Sequence, residues 1–186
     1  NPIYSGITSQ QFIVFVNNDT CTGSDTVFVE VNPLPIVSII GRDSICETDT
    51  IILTASGGRN YNWFGQLTDS TDTNATLIKT QNIVEGTTYT FQVEVEDTNN
   101  CTVGDSIQVF IFPRGQLSLL GIDSICIGDS TTIQLQGGRN YQWSPNTTIE
   151  NPTTDTPTFF PSITTQYSLE ANDSNNCELR DSLTIE

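Results

Sequence analysis

The feature that most limits how this chain can fold is an internal repeat. The segment at residues 57–63, GGRNYNW, returns eighty residues later at residues 137–143 as GGRNYQW. Self-similarity at a fixed period means that one structural unit is copied along the chain, and it has to be recognised before any fold is assigned. The sequence therefore predicts a tandem array of similar domains.

The repeat extends well beyond this segment. At the offset of eighty, the matching residues of the first copy also include Gly41, Asp43, Ser44, Ile45, Cys46 and Asp49. After the tryptophan the copies align at an offset of seventy-six, and the residues that match there include Asp97, Asn99, Asn100, Cys101, Asp105 and Ser106. Residues 1–33 carry only the tail of the pattern. We therefore predict complete repeats at 34–113 and 114–186, preceded by the last two strands of a third repeat whose front half is missing.

The local pattern of the chain is typical of β-structure. Short segments rich in Val, Ile, Thr, Tyr and Phe alternate with a period of two, and clusters of Gly, Asn, Asp and Pro separate them. About seven short strands per repeat, with a tryptophan on the third, predict an immunoglobulin-like sandwich of two sheets. The fold class is therefore all-β. Prolines near residues 33 and 113 leave only short connections, so we expect an elongated, semi-rigid array.

Two aromatic pairs occupy equivalent positions in the two complete repeats. Tyr61 and Trp63 share one face of the third strand, as do Tyr141 and Trp143. We interpret all four as core residues, because aromatic side chains at the centre of a sandwich fill its interior. The alternative is a platform on which sugar rings stack.

Composition excludes several classes of function. Six basic residues against 22 acidic residues give a formal charge of −16, which repels nucleic acid and anionic membranes. There is no histidine, and Lys79 is the sole lysine, so a hydrolase triad cannot be assembled. No apolar run is long enough to span a bilayer. We expect neither an enzyme, nor a nucleic-acid-binding protein, nor direct membrane insertion.

Five cysteines at repeat-equivalent positions, without a Cys-x-x-Cys motif, favour disulfides in an oxidising compartment over zinc. One option is pairing inside each repeat, Cys46 with Cys101 and Cys126 with Cys177. In the predicted topology, however, the first pair lies at opposite ends of a sandwich, about 23 Å apart, whereas bonded cysteines have Cα atoms about 5.5 Å apart. In a head-to-tail array Cys46 meets Cys177 instead. We favour this second pairing, the first stays open, and Cys21 is expected to bond outside this sequence.

Acidic residues cluster on both sides of Cys46 and at one hairpin turn. Oxygen-rich domain junctions often hold Ca²⁺, although no Asp-x-Asp-x-Asp-Gly loop is present. We favour a solvated anionic surface that keeps the chain soluble, and we expect no other cofactor. The candidate Ca²⁺ ligands are Asp43, Glu47, Asp49, Glu96 and Asp97.

The ordered set of motifs carries a family resemblance. Ile-Cys-x-x-Asp, Gly-Gly, Tyr-x-Trp and Asp-x-Asn-Asn-Cys follow one another in both complete repeats. This order resembles the tandem PKD-like and immunoglobulin-like repeats of giant Bacteroidota cell-surface proteins, a class that includes gliding-motility adhesins. The resemblance covers essentially the whole chain. It implies export by type IX secretion, an extracellular location on the bacterial cell surface, and a structural role as the stalk of an adhesin.

A further pattern fits that resemblance. Asp followed by Ser or Thr and an apolar residue resembles the O-glycosylation sequon of that phylum, although such triplets also begin β-strands. The candidate residues are Thr26, Ser44, Thr50, Ser106, Ser124 and Ser182.

Two other functions are compatible with the sequence. One is a repeat array or subunit of an extracellular surface filament, in which other copies of the chain are the partners. The other is an array of glycan-binding modules attached to a secreted enzyme. In the stalk interpretation the partners are neighbouring repeats of the same chain and, at the surface, glycans.

Overall fold

The computed structural model describes residues 3–66, 74–79 and 82–186. This described part contains seventeen β-strands and no helix, which confirms the predicted all-β class. No helix that could cross a membrane is therefore found within these ranges.

The N-terminal part forms a two-stranded antiparallel hairpin of β1 (Gln10–Asn18) and β2 (Cys21–Val29). Its register places Phe12 opposite Val27 and Val14 opposite Asp25. Apolar side chains are exposed on both faces of this hairpin; they include Ile13, Val14, Phe15, Val16, Val27 and Phe28. The assignment of residues 1–33 to a third repeat stays a prediction.

The described residues of the predicted repeat at 34–113 form seven strands in two sheets, with strand orders β3-β5-β7 and β4-β9-β8-β6. Strand β4 runs parallel to β9, whereas β3 with β5 and β6 with β8 pair antiparallel. In one sheet β5 pairs with the outer strand β3, and in the other sheet the last two strands, β8 and β9, join β6. This strand order is found in immunoglobulin-like sandwiches. The strands are β3 (Ser38–Gly41), β4 (Ser44–Cys46), β5 (Ile51–Ser56), β6 (Asn60–Gly65), β7 (Thr76–Lys79), β8 (Thr88–Glu96) and β9 (Thr102–Phe112).

The predicted repeat at 114–186 has a similar succession of shorter strands, with orders β10-β12, β11-β15-β14 and β13-β16-β17. Its core is a cluster around Trp143. The Trp143 ring packs edge-on against the rings of Phe159 and Tyr167, with ring centroids 5.0 Å and 6.4 Å apart. The strands are β10 (Ser118–Leu120), β11 (Thr131–Thr132), β12 (Gln134–Gln136), β13 (Arg139–Ser144), β14 (Ile149–Glu150), β15 (Thr158–Phe159), β16 (Thr165–Asn172) and β17 (Glu178–Ile185).

The repeated Gly-Gly turn has a steric cause. Gly57 and Gly137 both have positive φ, +112° and +90°, a conformation that side chains with a Cβ rarely adopt. A Cβ atom would lie 2.0 Å from the carbonyl oxygen of Ile36 at the first position and 1.9 Å from that of Gln116 at the second. Only glycine lets the chain pass so close to the preceding segment, which explains why both copies carry it.

By its internal contacts the chain divides into two compact units. The first unit holds the described residues of Asn1–Gly41, Ile52–Ile78 and Thr90–Ile107. The second holds those of Arg42–Ile51, Lys79–Tyr89 and Gln108–Glu186. The repeat boundaries at 33/34 and 113/114 remain predictions from the sequence.

Candidate functional site

The best-defined candidate site is a disulfide inside the second unit. It joins Cys46 to Cys177, with Cα atoms 5.5 Å apart and a sequence separation of 131 residues. The bond therefore joins residues of the two predicted complete repeats, and Cys46 with Cys177 is the pairing that the sequence analysis favoured. The head-to-tail arrangement of the repeats stays a prediction. The alternative pairing within each repeat is wrong, because Cys101 and Cys126 are both unpaired in the described chain, as is Cys21.

The turn that carries Cys177 is organised by a buried carboxylate. Asp173 is only 4% exposed. Its Oδ1 accepts the backbone N–H groups of Asn175 at 2.8 Å and of Cys177 at 2.9 Å, and its Oδ2 accepts the N–H of Gly115 at 3.3 Å. Hydrogen bonds to a charged acceptor are stronger than neutral ones. Asp173 thus holds the cysteine turn and ties it to the chain that leads into this repeat.

The residue before the cysteine completes the turn. Asn176 has a φ of +69°, in the left-handed region that Asn tolerates better than most residues. The equivalent turn at Cys101 has the same construction, with Asn100 at +61° and the Asp97 carboxylate accepting the Cys101 N–H at 2.9 Å. The sequence analysis found the Asp-x-Asn-Asn-Cys motif by its repetition but did not assign its aspartate this role.

The opposite half of the disulfide lies in a tight turn of its own. Asp49 donates its backbone N–H to the carbonyl oxygen of Cys46 at 3.0 Å, and its Oδ2 accepts the Cys46 N–H at 3.3 Å. Arg42 lies 3.7 Å from the same carboxylate, but exposed ion pairs of this kind contribute little to stability. The loop around Cys46 is therefore held by one hydrogen bond between backbone groups and one to the Asp49 carboxylate.

We predict that Asp173→Ala destabilises the second unit by about 2–4 kcal/mol, because three backbone N–H groups lose a charged acceptor in a buried position. The matched change Asp97→Ala should cost about half as much, since Asp97 is half-buried and water can reach the N–H groups that it leaves. Urea unfolding of both variants followed by tryptophan fluorescence measures the difference. Equal losses would show that the contact with Gly115 adds nothing.

The candidate Ca²⁺ ligands do not form one cluster. Asp43, Glu47 and Asp49 belong to the second unit, whereas Glu96 and Asp97 belong to the first. In the residues that the structure describes, no group of three or more His, Cys, Asp or Glu side chains is arranged to hold a metal ion. Four of the five carboxylates have hydrogen-bond partners nearby: Ser44 for Asp43 (3.0 Å), Cys46 for Asp49, Asn60 for Glu96 (3.1 Å), and Asn99 and Cys101 for Asp97.

The repeated aromatic residues lie largely in the interior. Trp63 is 0% exposed, and its Nε1 donates to the carbonyl oxygen of Asn74 at 2.9 Å. Trp143 and Tyr141 are buried as well, and Tyr61 is half-buried. Neither tryptophan presents a ring face to solvent, so the predicted core positions carry no sugar-stacking platform.

Five of the six candidate glycosylation residues are exposed, and Ser44 is half-buried. Ser44 begins β4 and Thr50 directly precedes β5, but Thr26, Ser106 and Ser182 lie inside β2, β9 and β17. At each of these three positions the preceding Asp accepts the backbone N–H of the Ser or Thr at 2.8 Å. Strand initiation therefore does not explain these three triplets.

An exposed charge cluster lies on β16 and β17. Arg180 is 2.6 Å from Glu178 and 3.4 Å from Glu170. The hydrogen bond that Arg180 donates to Glu178, followed by the negative charges of both glutamates, raises the pKa of Arg180. An arginine that is already fully charged at neutral pH changes no chemistry by this shift, so the cluster is a feature of the surface and not of a reactive site.

Comparison with known proteins finds only distant structural similarities. No protein-family model and no curated protein matches the chain. Among solved structures, the chain is similar to the fibronectin(III)-like modules of Clostridium thermocellum CbhA, with 9% identity over 81% of this chain and 93% of that chain and a TM-score of 0.41. It is also similar to murine CEACAM1b, with 14% identity over 81% of this chain and 99% of that chain and a TM-score of 0.35. A third similar structure is that of the insect immune protein hemolin, with 11% identity over 95% of this chain and 55% of that chain and a TM-score of 0.41.

The fold class itself is given by the chain's own strands. The regular secondary structure of its described residues consists of β-strands, and the sheets of the described residues in 34–113 follow an immunoglobulin-like order. A disulfide is a further mark of proteins that fold in oxidising, extracellular surroundings. The chain is an all-β protein of immunoglobulin-like type.

Proposed function

We propose that the chain is a segment of an extracellular stalk that holds the adhesive part of a large repetitive protein away from a bacterial surface. The observation that carries this proposal is the Cys46–Cys177 disulfide. The bond joins the turn of one predicted repeat to the hairpin turn of the next. Its effect is on the connection between them, which is where a stalk has to resist bending.

The connection between the predicted repeats has three components. The peptide chain itself passes through Pro113, whose ring restricts the backbone. The disulfide supplies a second covalent link. In addition, Arg114 donates its backbone N–H to Oε2 of Glu85 at 2.7 Å, within the second unit. Two covalent links between neighbouring domains allow less relative rotation than one, so the proposed mechanism of the stalk is mechanical.

The resemblance to repeats of Bacteroidota surface proteins refines this proposal. It favours a stalk of the type found in gliding and surface-attachment adhesins, exported by type IX secretion to the cell surface. The large negative charge of −16 suits a long solvated protein outside the cell, because like-charged chains repel one another and stay dispersed.

Small-angle X-ray scattering of the purified chain tests the stalk. We expect a monomer with a radius of gyration well above about 16 Å, which is the value for a compact domain with this number of residues. Adding a reductant should broaden the distribution of distances, because the junction is released. A radius near that of a compact domain, unchanged by reduction, would overturn the proposal.

Scattering and a binding assay together separate the stalk from its alternatives. A filament subunit would show scattering that grows with protein concentration, because its lateral contacts join copies. A glycan-binding array would be retained on a polysaccharide column, and the retention would depend on an exposed aromatic residue and not on the buried Trp63.

A further inference from the structure

We propose that Cys126 and Cys101 are half-sites of two further disulfides of the Cys46–Cys177 type. Cys126 would bond the hairpin-turn cysteine of a following repeat, and Cys101 would bond the cysteine in the Ile-Cys-x-x-Asp turn of a preceding one. This inference rests on the proposed role as a repeat array. It assigns both cysteines a partner of stated chemistry, namely a repeat of the same class in the same polypeptide.

Cys101 lies in the same turn as the bonded Cys177. In both turns the aspartate four residues earlier accepts the cysteine N–H through Oδ1 at 2.9 Å. In both, the cysteine carbonyl oxygen accepts the aspartate's backbone N–H, at 3.0 Å for Cys101 and 2.9 Å for Cys177. The preceding asparagine has positive φ in each case. The turn that supports a disulfide at Cys177 is therefore already formed at Cys101, where no partner is present in the described chain.

Cys126 repeats the surroundings of the bonded Cys46 in the same way. The aspartate three residues later donates its N–H to the cysteine carbonyl oxygen at 3.0 Å in both turns, from Asp129 and Asp49. The chain before each cysteine lies along the last strand of its repeat with matching hydrogen bonds: the carbonyl oxygen of Asp43 accepts the N–H of Phe110 at 2.8 Å, and that of Asp123 accepts the N–H of Glu186 at 2.8 Å.

The surface around Cys126 is consistent with a covering repeat. Cys126 is exposed, and it belongs to two open concavities of about 350 and 520 Å³. Ile127 beside it is 88% exposed, and Ile122 and Ile163, which line the same concavities, are also exposed. Grouped exposed isoleucines are typical of a surface that another protein element covers. The exposed isoleucines thus surround the free thiol of Cys126. In the preceding predicted repeat the equivalent residue, Cys46, is disulfide-bonded.

Each bond forms by ordinary thiol–disulfide exchange. The Cys126 thiolate attacks the disulfide of an oxidised protein oxidant, which releases one sulfur of the oxidant as a thiolate. The thiolate of the incoming cysteine then displaces the second sulfur, and the two cysteines become joined. The two thiols lose two protons and two electrons in total, and the oxidant's disulfide becomes a dithiol. An oxidant of this class is available where secreted proteins acquire disulfides.

Disulfide mapping of the native full-length protein tests the inference. Free thiols are blocked during purification, the protein is digested without reduction, and linked peptides are identified by mass spectrometry. We expect the Cys126 peptide to be linked to a peptide with a cysteine in an Asp-rich hairpin turn, and the Cys101 peptide to one with an Ile-Cys turn. Blocked, unlinked Cys126 or Cys101 overturns the proposal, and so does a Cys101–Cys126 bond between two copies.

A recombinant extension tests the Cys126 half-site directly. A second copy of residues 111–186 is attached after Glu186, which restores the spacing found between Phe110 and the next repeat. The unextended chain has three unpaired cysteines. We expect the extended chain to show the same number of reactive thiols, because Cys126 is consumed together with the added copy of Cys177, and alkylation at Cys126 to be lost.

The matched control is Cys126→Ser in the extended chain. In this variant the added copy of Cys177 loses its partner, so its thiol should become reactive toward alkylation. The added repeat itself should remain folded. Full alkylation of Cys126 in the extended chain without the Ser substitution overturns the inference. If the added repeat does not fold, disulfide mapping of the native protein decides. Failure here leaves scattering by the unextended chain unaffected, so the inference and the stalk proposal can fail separately.

Discussion

Removal of the Cys46–Cys177 disulfide is expected to lower the free energy of unfolding of the second unit by about 3 kcal/mol. The two cysteines are 131 residues apart, and the chain-entropy model gives about 5 kcal/mol for a loop of that length, at the upper end of the usual range. For a chain of this size the midpoint temperature should fall by about 6–12 °C. The double variant Cys46→Ser with Cys177→Ser avoids the new pairings that a single free thiol would permit. Calorimetry with and without a reductant measures the loss.

The control for this experiment is Cys126→Ser. It makes the same chemical change at an exposed cysteine that is unpaired in the described chain. The free energy of unfolding should therefore change by less than about 0.5 kcal/mol. A reductant should lower the midpoint of the control as it does that of the parent chain, and should leave the double variant unchanged. A double variant as stable as its parent would show that the disulfide does not stabilise the junction.

Replacement of Trp63 by alanine should destabilise the first unit by about 3–5 kcal/mol, the usual loss for a large aromatic residue in a core. Trp63 is fully buried, and the change removes both its packing and its hydrogen bond to the Asn74 carbonyl oxygen at 2.9 Å. Trp143 offers a comparison within the chain, since its buried Nε1 has no hydrogen-bond partner in the described residues. Denaturant unfolding followed by circular dichroism gives the free energies.

Phe64→Ala is the matched control, because Phe64 is the next residue on the same strand and is 38% exposed on the other face. Its loss should cost less than about 1 kcal/mol. The pair also separates a core role from glycan binding. If the Trp63→Ala protein remained folded but lost retention on a polysaccharide, the core interpretation would be wrong. If retention existed and depended on Phe64, the glycan-binding alternative would gain support without any change in the core.

Much of the fold follows from local patterns. The alternation of apolar residues predicted that Ile51, Leu53 and Ala55 share a face, and β5 buries these three and exposes the residues between them. The same holds for Phe91 and Val93 in β8. Such predictions succeed because the side chains of a strand alternate between its faces whatever the rest of the protein does.

The disulfide pairing depended on more than the pattern. Spacing alone left two pairings open for Cys46, and only the placement of turns at the ends of a sandwich favoured Cys177. The three-dimensional structure brings these two Cα atoms to 5.5 Å. A bond between residues 131 apart depends on how distant segments of the chain meet, and no local propensity encodes it.

The sequence by itself determined the repeat, the all-β class and the alternation of buried and exposed residues, because these follow from the period of the chain. Only the tertiary structure decided which cysteines bond and which carboxylates are structural. Asp173 and Asp97 have the same motif, yet only Asp173 is buried, and the backbone at Gly115 packs against it and donates a hydrogen bond to its carboxylate. Burial and pairing depend on what arrives from distant parts of the chain, and that information lies in the packing of the whole molecule.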